Sequence, residues 1–87
     1  MNLLNEINKI LFNEWDPINV NSNKKLIEEY KNYALEFYRN QKEYKESDVA
    51  IYMKLLYYEE NEIGLKVNSQ VRKKVSLKIY NLLIKNK

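Results

Sequence analysis

The stretch WDPINV at residues 15–20 decides how this chain folds, because it holds the only tryptophan and the only proline. Proline cannot donate the hydrogen bond that continues a helix, and it disfavours helical conformation in the residue before it. The stretch therefore predicts that a first helix ends near Glu14 or Trp15, with Asp16 extended at a turn. Ile18 and Val20 alternate with asparagines, which predicts two apolar side chains tucked under the bend.

Apolar residues on both sides of this bend recur at the three- and four-residue spacing of amphipathic helices. The predicted helices cover about residues 2–15, 22–41, 48–62 and 69–85. Caps are predicted at Asn2, at Ser47, and at Asn68 or Ser69, because short polar side chains bind the free N–H groups of a helix start. Gly64 is predicted to end the third helix in a left-handed conformation. That helix carries apolar residues on two faces, which predicts a central position.

The composition indicates one small all-α domain over residues 1–87, folded as a compact bundle of four short helices. One glycine and one proline among 87 residues leave little turn chemistry for hairpins. With no cysteine and no histidine, the commonest general base and the commonest zinc ligands are missing. The apolar runs are far shorter than the roughly 20 residues of a membrane span, and no signal peptide is evident. We therefore expect a cytoplasmic protein with no membrane segment and no cofactor.

Charge is divided unevenly along the chain, since residues 66–87 contain no acidic residue. The candidate phosphate-binding side chains on this basic segment are Arg72, Lys73, Lys74 and Lys78. They predict either a nucleic-acid accessory protein that contacts the phosphate backbone or internal neutralisation. In the second interpretation, a turn at Gly64 brings the glutamates at positions 59, 60 and 62 close to the basic residues. Internal pairing is the preferred interpretation, because no helix-turn-helix signature is evident.

The acidic residues do not predict an enzyme or a metal site. Three glutamates near the end of the third helix could hold Mg²⁺ or Ca²⁺, but successive helical residues point in different directions. Glu28 and Glu29 are adjacent in sequence rather than on one helix face, and no nucleophile with a nearby base can be named. The prediction is a non-catalytic protein without a metal.

Three segments of the chain carry a resemblance: WDPINV at 15–20, EEYKNY at 28–33 and DVAIYMKLLYYEENEIGL at 48–65. Together they resemble a small bacterial and archaeal family of unknown function with a Trp-Asp-Pro-Ile-Gly-Val motif and a following Glu-Tyr-x-x-Tyr element. Asn19 stands where that family usually has glycine, and Lys31 where an acidic residue is common. The resemblance implies a compact helical fold and little chemistry. Related motifs also occur in small proteins similar to toxin-immunity proteins.

The predicted function is protein–protein binding through an acidic, tyrosine-rich face, with immunity-like neutralisation of a toxin as one form of it. The candidate partner-binding residues are Asp16, Glu29, Tyr30 and Tyr33, the last three chosen partly from the resemblance. Eight tyrosines are more than a core of this size needs, and tyrosine suits binding surfaces. For the bend itself, the preferred interpretation is that Trp15 is core and Asp16 bonds the backbone of the turn. A structural homodimer formed by exposed tyrosines stays open as an alternative function.

Overall fold

Helix α1, Leu3–Ile10, opens the computed structural model, which describes residues 2–85. Its cap is Asn2 as predicted, since the Asn2 side chain accepts from the Leu4 N–H at 2.8 Å. The helix widens into a π turn over Leu11–Trp15, where the Asp16 N–H donates to the Leu11 carbonyl oxygen at 2.9 Å. The first helix therefore ends at Trp15, as the proline predicted.

The prediction of an extended Asp16 is wrong, because this residue is left-handed with φ 37° and ψ 59°. Aspartate tolerates this conformation better than most residues, and its side chain can bond nearby backbone N–H groups. Here it accepts from Val20 and Asn21. Asn19 is also left-handed, with φ 57°. The bend is therefore a loop closed by hydrogen bonds to the Asp16 side chain rather than an extended segment.

The second predicted helix, over 22–41, is broken in the structure. Residues Lys24–Leu26 form one 3₁₀ turn, and helix α2 covers only Lys31–Arg39. The carbonyl of Ile27 accepts from the Asn8 side chain at 2.9 Å, whereas the Lys31 N–H donates to Glu28. A tertiary hydrogen bond from α1 therefore replaces the bond that would have continued an α-helix.

Side-chain amides end α2 and separate it from a short helix α3, Gln41–Tyr44. The Asn40 amide donates to the Glu36 carbonyl and the Gln41 amide donates to the Tyr38 carbonyl, both at 2.9 Å. Asparagine and glutamine compete in this way with the helical backbone pattern. Tyr44 packs into the core at 4.9 Å from the Phe37 ring, so the segment between the second and third predicted helices holds a core residue.

Helix α4, Asp48–Tyr58, is capped by Ser47 as predicted and continues as a π turn over Glu59–Ile63. Its buried face is Ile51, Leu55 and Tyr58. The other apolar face, which includes Val49 and Met53, is exposed. The prediction of a central helix is therefore wrong, because the other helices cover only one of its two apolar faces.

Gly64 ends this π turn with φ 81°, the left-handed stop that was predicted. Helix α5, Ser69–Lys85, follows, and Asn68 is its cap because its side chain accepts from the Gln70 N–H at 2.7 Å. Val75, Ile79 and Leu83 are buried on its inner face. Val71, one helical turn before Val75, is 36% exposed.

Within residues 2–85 the fold is all-α, as predicted, with helices and no strand. The description as four helices is corrected: five are present, because a short helix, α3, forms between the second and third predicted helices. The core side chains are Ile7, Leu11, Phe12, Trp15, Tyr30, Ala34, Phe37, Tyr44, Ile51, Leu55, Tyr58, Val75, Ile79 and Leu83. Helices α4 and α5 pack against each other. None of the described helices has the length and apolarity that crossing a bilayer needs.

Candidate functional site

A surface cleft lies where the loop after α1, the start of α2 and the end of α4 meet. It encloses about 230 Å³. Its lining residues are Ile18, Glu29, Tyr30, Tyr33, Glu62 and Ile63. We call it the acidic tyrosine cleft. It brings three of the four candidate partner-binding residues together, and the fourth, Asp16, holds one of its walls in place.

The Asp16 carboxylate organises the loop that forms this wall. It accepts hydrogen bonds from the Val20 N–H at 2.9 Å and the Asn21 N–H at 3.0 Å. It also accepts from the Tyr30 hydroxyl at 2.7 Å. Charge-assisted bonds of this kind are stronger than neutral ones, so Asp16 fixes the loop that carries Ile18. Its role in the structure is the one that the preferred interpretation of the bend predicted, bonding the backbone of the turn.

Tyr30 forms the floor of the cleft rather than a free recognition group. Its side chain is 1% exposed, and its hydroxyl both donates to Asp16 and accepts from the Ile18 N–H at 3.1 Å. Burial raises the pKa of the Tyr30 hydroxyl above its usual value, and the hydrogen bond to Asp16 adds to this. A neutral, doubly bonded hydroxyl therefore ties the start of α2 to the loop.

Tyr33 is half-buried and presents the aromatic surface of the cleft. Its ring lies 4.3 Å from the Tyr58 ring, centroid to centroid, and meets Trp15 edge-on at 5.8 Å. Burial raises the pKa of Tyr33, and the charges of Glu62 and then Glu29 raise it further. Both carboxylates are thus close enough to disfavour a negative charge on the hydroxyl.

Glu29 and Glu62 give the cleft its charge. Both are exposed, and neither has an ion-pair partner among residues 2–85. Their sequence neighbours differ, since Glu28 pairs with Lys31 and Glu60 pairs with Lys66 at 2.9 Å. The cleft therefore combines two uncompensated negative charges with a rigid aromatic ring.

A buried polar network fixes the end of α4 against the loop. The Trp15 indole N–H donates to Glu59 at 2.8 Å, and the Val67 N–H donates to the other oxygen of that carboxylate at 3.1 Å. The Arg72 guanidinium pairs with both oxygens and also donates to the Tyr52 hydroxyl at 3.0 Å. The hydrogen bond to Glu59 raises the pKa of Arg72 above its already high value. Glu59 is fully buried, so Glu62 projects from an anchored turn.

The structure separates the candidate phosphate-binding residues. Arg72 is 4% exposed and engaged by Glu59, and Lys78 pairs with Glu14 of the first helical segment. Lys73 and Lys74 are exposed, with no carboxylate partner among the described residues. Only two of the four side chains are therefore free to meet a polyanion.

The three glutamates weighed as a metal set point to different places. Glu59 faces Arg72 and Trp15, Glu60 faces Lys66, and Glu62 lines the acidic tyrosine cleft. Among residues 2–85, no group of three acidic side chains converges as a metal site. The divergence follows from helix geometry, in which consecutive side chains point about 100° apart.

Ile18, Glu62 and Ile63 were not selected from the sequence as cleft residues. Nothing in the local pattern links residues 18 and 62, because they are far apart in the chain. The hydrogen bond from Trp15 to Glu59 joins their two segments across 44 positions. The one available signal is the acidic run before Gly64, for which pairing with basic residues is the preferred interpretation.

No protein-family model, curated protein or solved structure matches the chain.

Proposed function

We propose that this protein is a non-catalytic binding module whose acidic tyrosine cleft accepts a basic side chain of a protein partner. The observation that carries the proposal is that Glu29 and Glu62 flank Tyr33 without a cation of their own among the described residues. A guanidinium or ammonium group would gain two charge-assisted contacts and one aromatic face.

Binding of this kind needs complementarity and no chemistry. The cleft is held by Asp16, Tyr30 and Glu59 before any partner arrives, and preorganisation lowers the entropic cost of association. The two carboxylates also favour encounter with a basic surface. Occlusion of that surface would be the mechanism, as in an immunity-type protein that covers a toxin. A cytoplasmic location is part of this proposal.

Affinity capture tests the proposal directly. We expect the immobilised chain to retain a protein from a lysate of its native host, and the double variant Glu29→Gln/Glu62→Gln to lose it. Removing two charge contacts should weaken binding by about tenfold or more. Retention should also fall as salt rises, because exposed charges are screened.

The matched control is Glu46→Gln, which neutralises an exposed acid outside the cleft. It should leave retention unchanged. Equal retention by wild type and the double variant would contradict the proposal, and so would recovery of the chain alone at every salt concentration.

Two other functions stay as alternatives. Nucleic-acid binding is supported by exposed Lys73 and Lys74 on a helix that carries no acid. The other two candidate phosphate-binding residues, Arg72 and Lys78, form internal ion pairs instead. A structural homodimer is supported by exposed Tyr38 and Tyr57. Neither surface places two acids without an ion-pair partner beside an aromatic ring, as the acidic tyrosine cleft does.

A further inference from the structure

An apolar groove lies between the N-terminal turns of α4 and α5, built from residues other than those of the acidic tyrosine cleft. It encloses about 290 Å³. Its lining residues are Asp48, Val49, Tyr52, Ser69, Gln70 and Lys73. The floor is held firmly, because the Tyr52 ring stacks on the Arg72 guanidinium at 5.2 Å and its hydroxyl accepts from the same group.

The groove continues along α4 as a stripe of exposed apolar side chains. Val49 is 60% exposed, Met53 55% and Tyr57 49%. They recur at four-residue spacing and so lie on one helix face, spanning about 12 Å at the helical rise per residue. An aligned row of large exposed apolar residues is typical of an interaction surface rather than of scattered exposure. Methionine at its centre adapts readily to a partner's shape.

The charge along the α5 wall restricts what can cover this stripe. Lys73 lines the groove and Lys74 follows it, and neither has a carboxylate partner among residues 2–85. Residues 66–87 contain no acid that could neutralise them. Asp48 lies on the opposite wall, at the start of α4. The α5 side of the groove therefore carries the unpaired positive charge of Lys73.

From this arrangement we infer a second docking surface, which takes an amphipathic helix of another protein with acidic residues beside its apolar stripe. The apolar side chains of that helix would cover Val49, Met53 and Tyr57 at spacings of three and four residues, as in other helix-in-groove complexes. Its acidic residues would face Lys73, which lines the groove. The inference concerns a different surface from the acidic tyrosine cleft and does not depend on the proposed function.

Titration of the full chain with three synthetic helical peptides tests it. Each peptide has about 14 residues, roughly 20 Å of helix. The first carries leucines at i, i+4 and i+7 with glutamates beside them, the second replaces those glutamates by lysines, and the third replaces the leucines by glutamines. We expect the first to bind more tightly than the others, by about tenfold or more, and to shift the methyl resonances of Val49 and Met53.

Paired variants separate the groove from the rest of the surface. Lys73→Glu should weaken binding of the acidic peptide by about fivefold or more, whereas Lys85→Glu, at the far end of α5, should leave it within about twofold. Val49→Ser should weaken it by about tenfold. Leu77→Ser, which changes an exposed apolar residue of α5 in the same way, should leave binding of the acidic peptide unchanged.

Three outcomes would overturn the inference. They are equal binding of the acidic and basic peptides, acidic-peptide binding that does not respond to Val49→Ser, and no binding of any peptide at millimolar concentration. Duplex DNA that competes with the acidic peptide and depends on Lys73 but not on Val49 would also overturn it, because the surface would then be a phosphate contact.

Discussion

Asp16 shows how one side chain can hold a functional surface without touching a partner. Three donors converge on its carboxylate: the backbone N–H groups of Val20 and Asn21 and the Tyr30 hydroxyl. The side chain is only partly exposed, so these bonds are shielded from competing water. The loop, the floor of the cleft and Ile18 therefore depend on a single acid that precedes the proline.

Replacing Asp16 should lower the free energy of unfolding by more than the loss of an ordinary helix cap does. We expect Asp16→Ala to lower the free energy of unfolding by about 2–3 kcal/mol, since three donors lose a charged acceptor, against about 1 kcal/mol for a cap alone. Urea denaturation measures the change. Asp48→Ala, a partly exposed acid in the first turn of α4, serves as control with an expected loss of at most about 1 kcal/mol. A loss at Asp16 no larger than at Asp48 would contradict the geometry.

At the scale of elements, two π turns meet through their side chains. The first ends at Trp15 and the second begins at Glu59, and each is closed by a left-handed residue, Asp16 or Gly64. The Trp15 indole N–H of the first turn donates to the Glu59 carboxylate of the second. Arg72 of α5 forms an ion pair with the same carboxylate. Removing one partner of such a buried pair leaves the other charge buried without a counter-charge. The resulting loss of stability is larger than the stability that the intact pair gives relative to two apolar residues in its place.

A double-mutant cycle tests the coupling between α4 and α5. We expect Glu59→Gln and Arg72→Met each to lower the free energy of unfolding by about 3–5 kcal/mol, because each leaves a buried group without its partner. The double variant should lose less than the sum of the two, with a coupling free energy of at least about 2 kcal/mol. Urea denaturation of the four chains measures it.

The exposed pair Lys66 and Glu60 provides the matched cycle. Both side chains are about half-exposed, so solvent screens them and their coupling should be below about 1 kcal/mol. Similar couplings in the two cycles would show that the Glu59 and Arg72 pair does not act as a buried one.

At the scale of the whole molecule, aromatic side chains join helices that are distant in sequence. Trp15 at the end of the first helix meets Tyr30 at 5.4 Å and Tyr58 at 6.4 Å, and Tyr58 in turn contacts Tyr33 and Phe37. Burial raises the pKa of Tyr44 to about 12, and burial also raises the pKa of Tyr58 above its usual value. The core therefore holds several hydroxyls that resist ionisation.

Alkaline pH should unfold the protein before all its tyrosines ionise in the folded state. The unfolded chain releases tyrosine protons near pH 10, whereas the folded chain retains those with raised pKa values. Stability should thus be fully present below about pH 10 and fall as pH rises toward 12. Absorbance at 295 nm, recorded with urea denaturation at each pH, measures both effects. Ionisation of all eight tyrosines in one step near pH 10, with stability unchanged, would contradict the prediction.

The amino-acid sequence by itself determined the elements whose signals are local. Pro17 removes a backbone donor, Asn2 and Ser47 supply capping oxygens, and Gly64 permits a left-handed stop, so the first, third and fourth predicted helices begin and end close to where they were expected. Helical spacing of the apolar residues also determined the all-α class. These features depend on side chains within a few positions of one another.

Only the tertiary structure decided where the second helix breaks, which apolar face of α4 stays uncovered and which acids share a cleft. The bond from Asn8 to Ile27 outweighs the helical pattern of residues 22–30. Glu62 reaches the cleft because Trp15 and Arg72 hold Glu59. The physical reason is that partners far apart in sequence compete to form hydrogen bonds with the same backbone and carboxylate groups. The local spacing of residues does not indicate which of these hydrogen bonds forms.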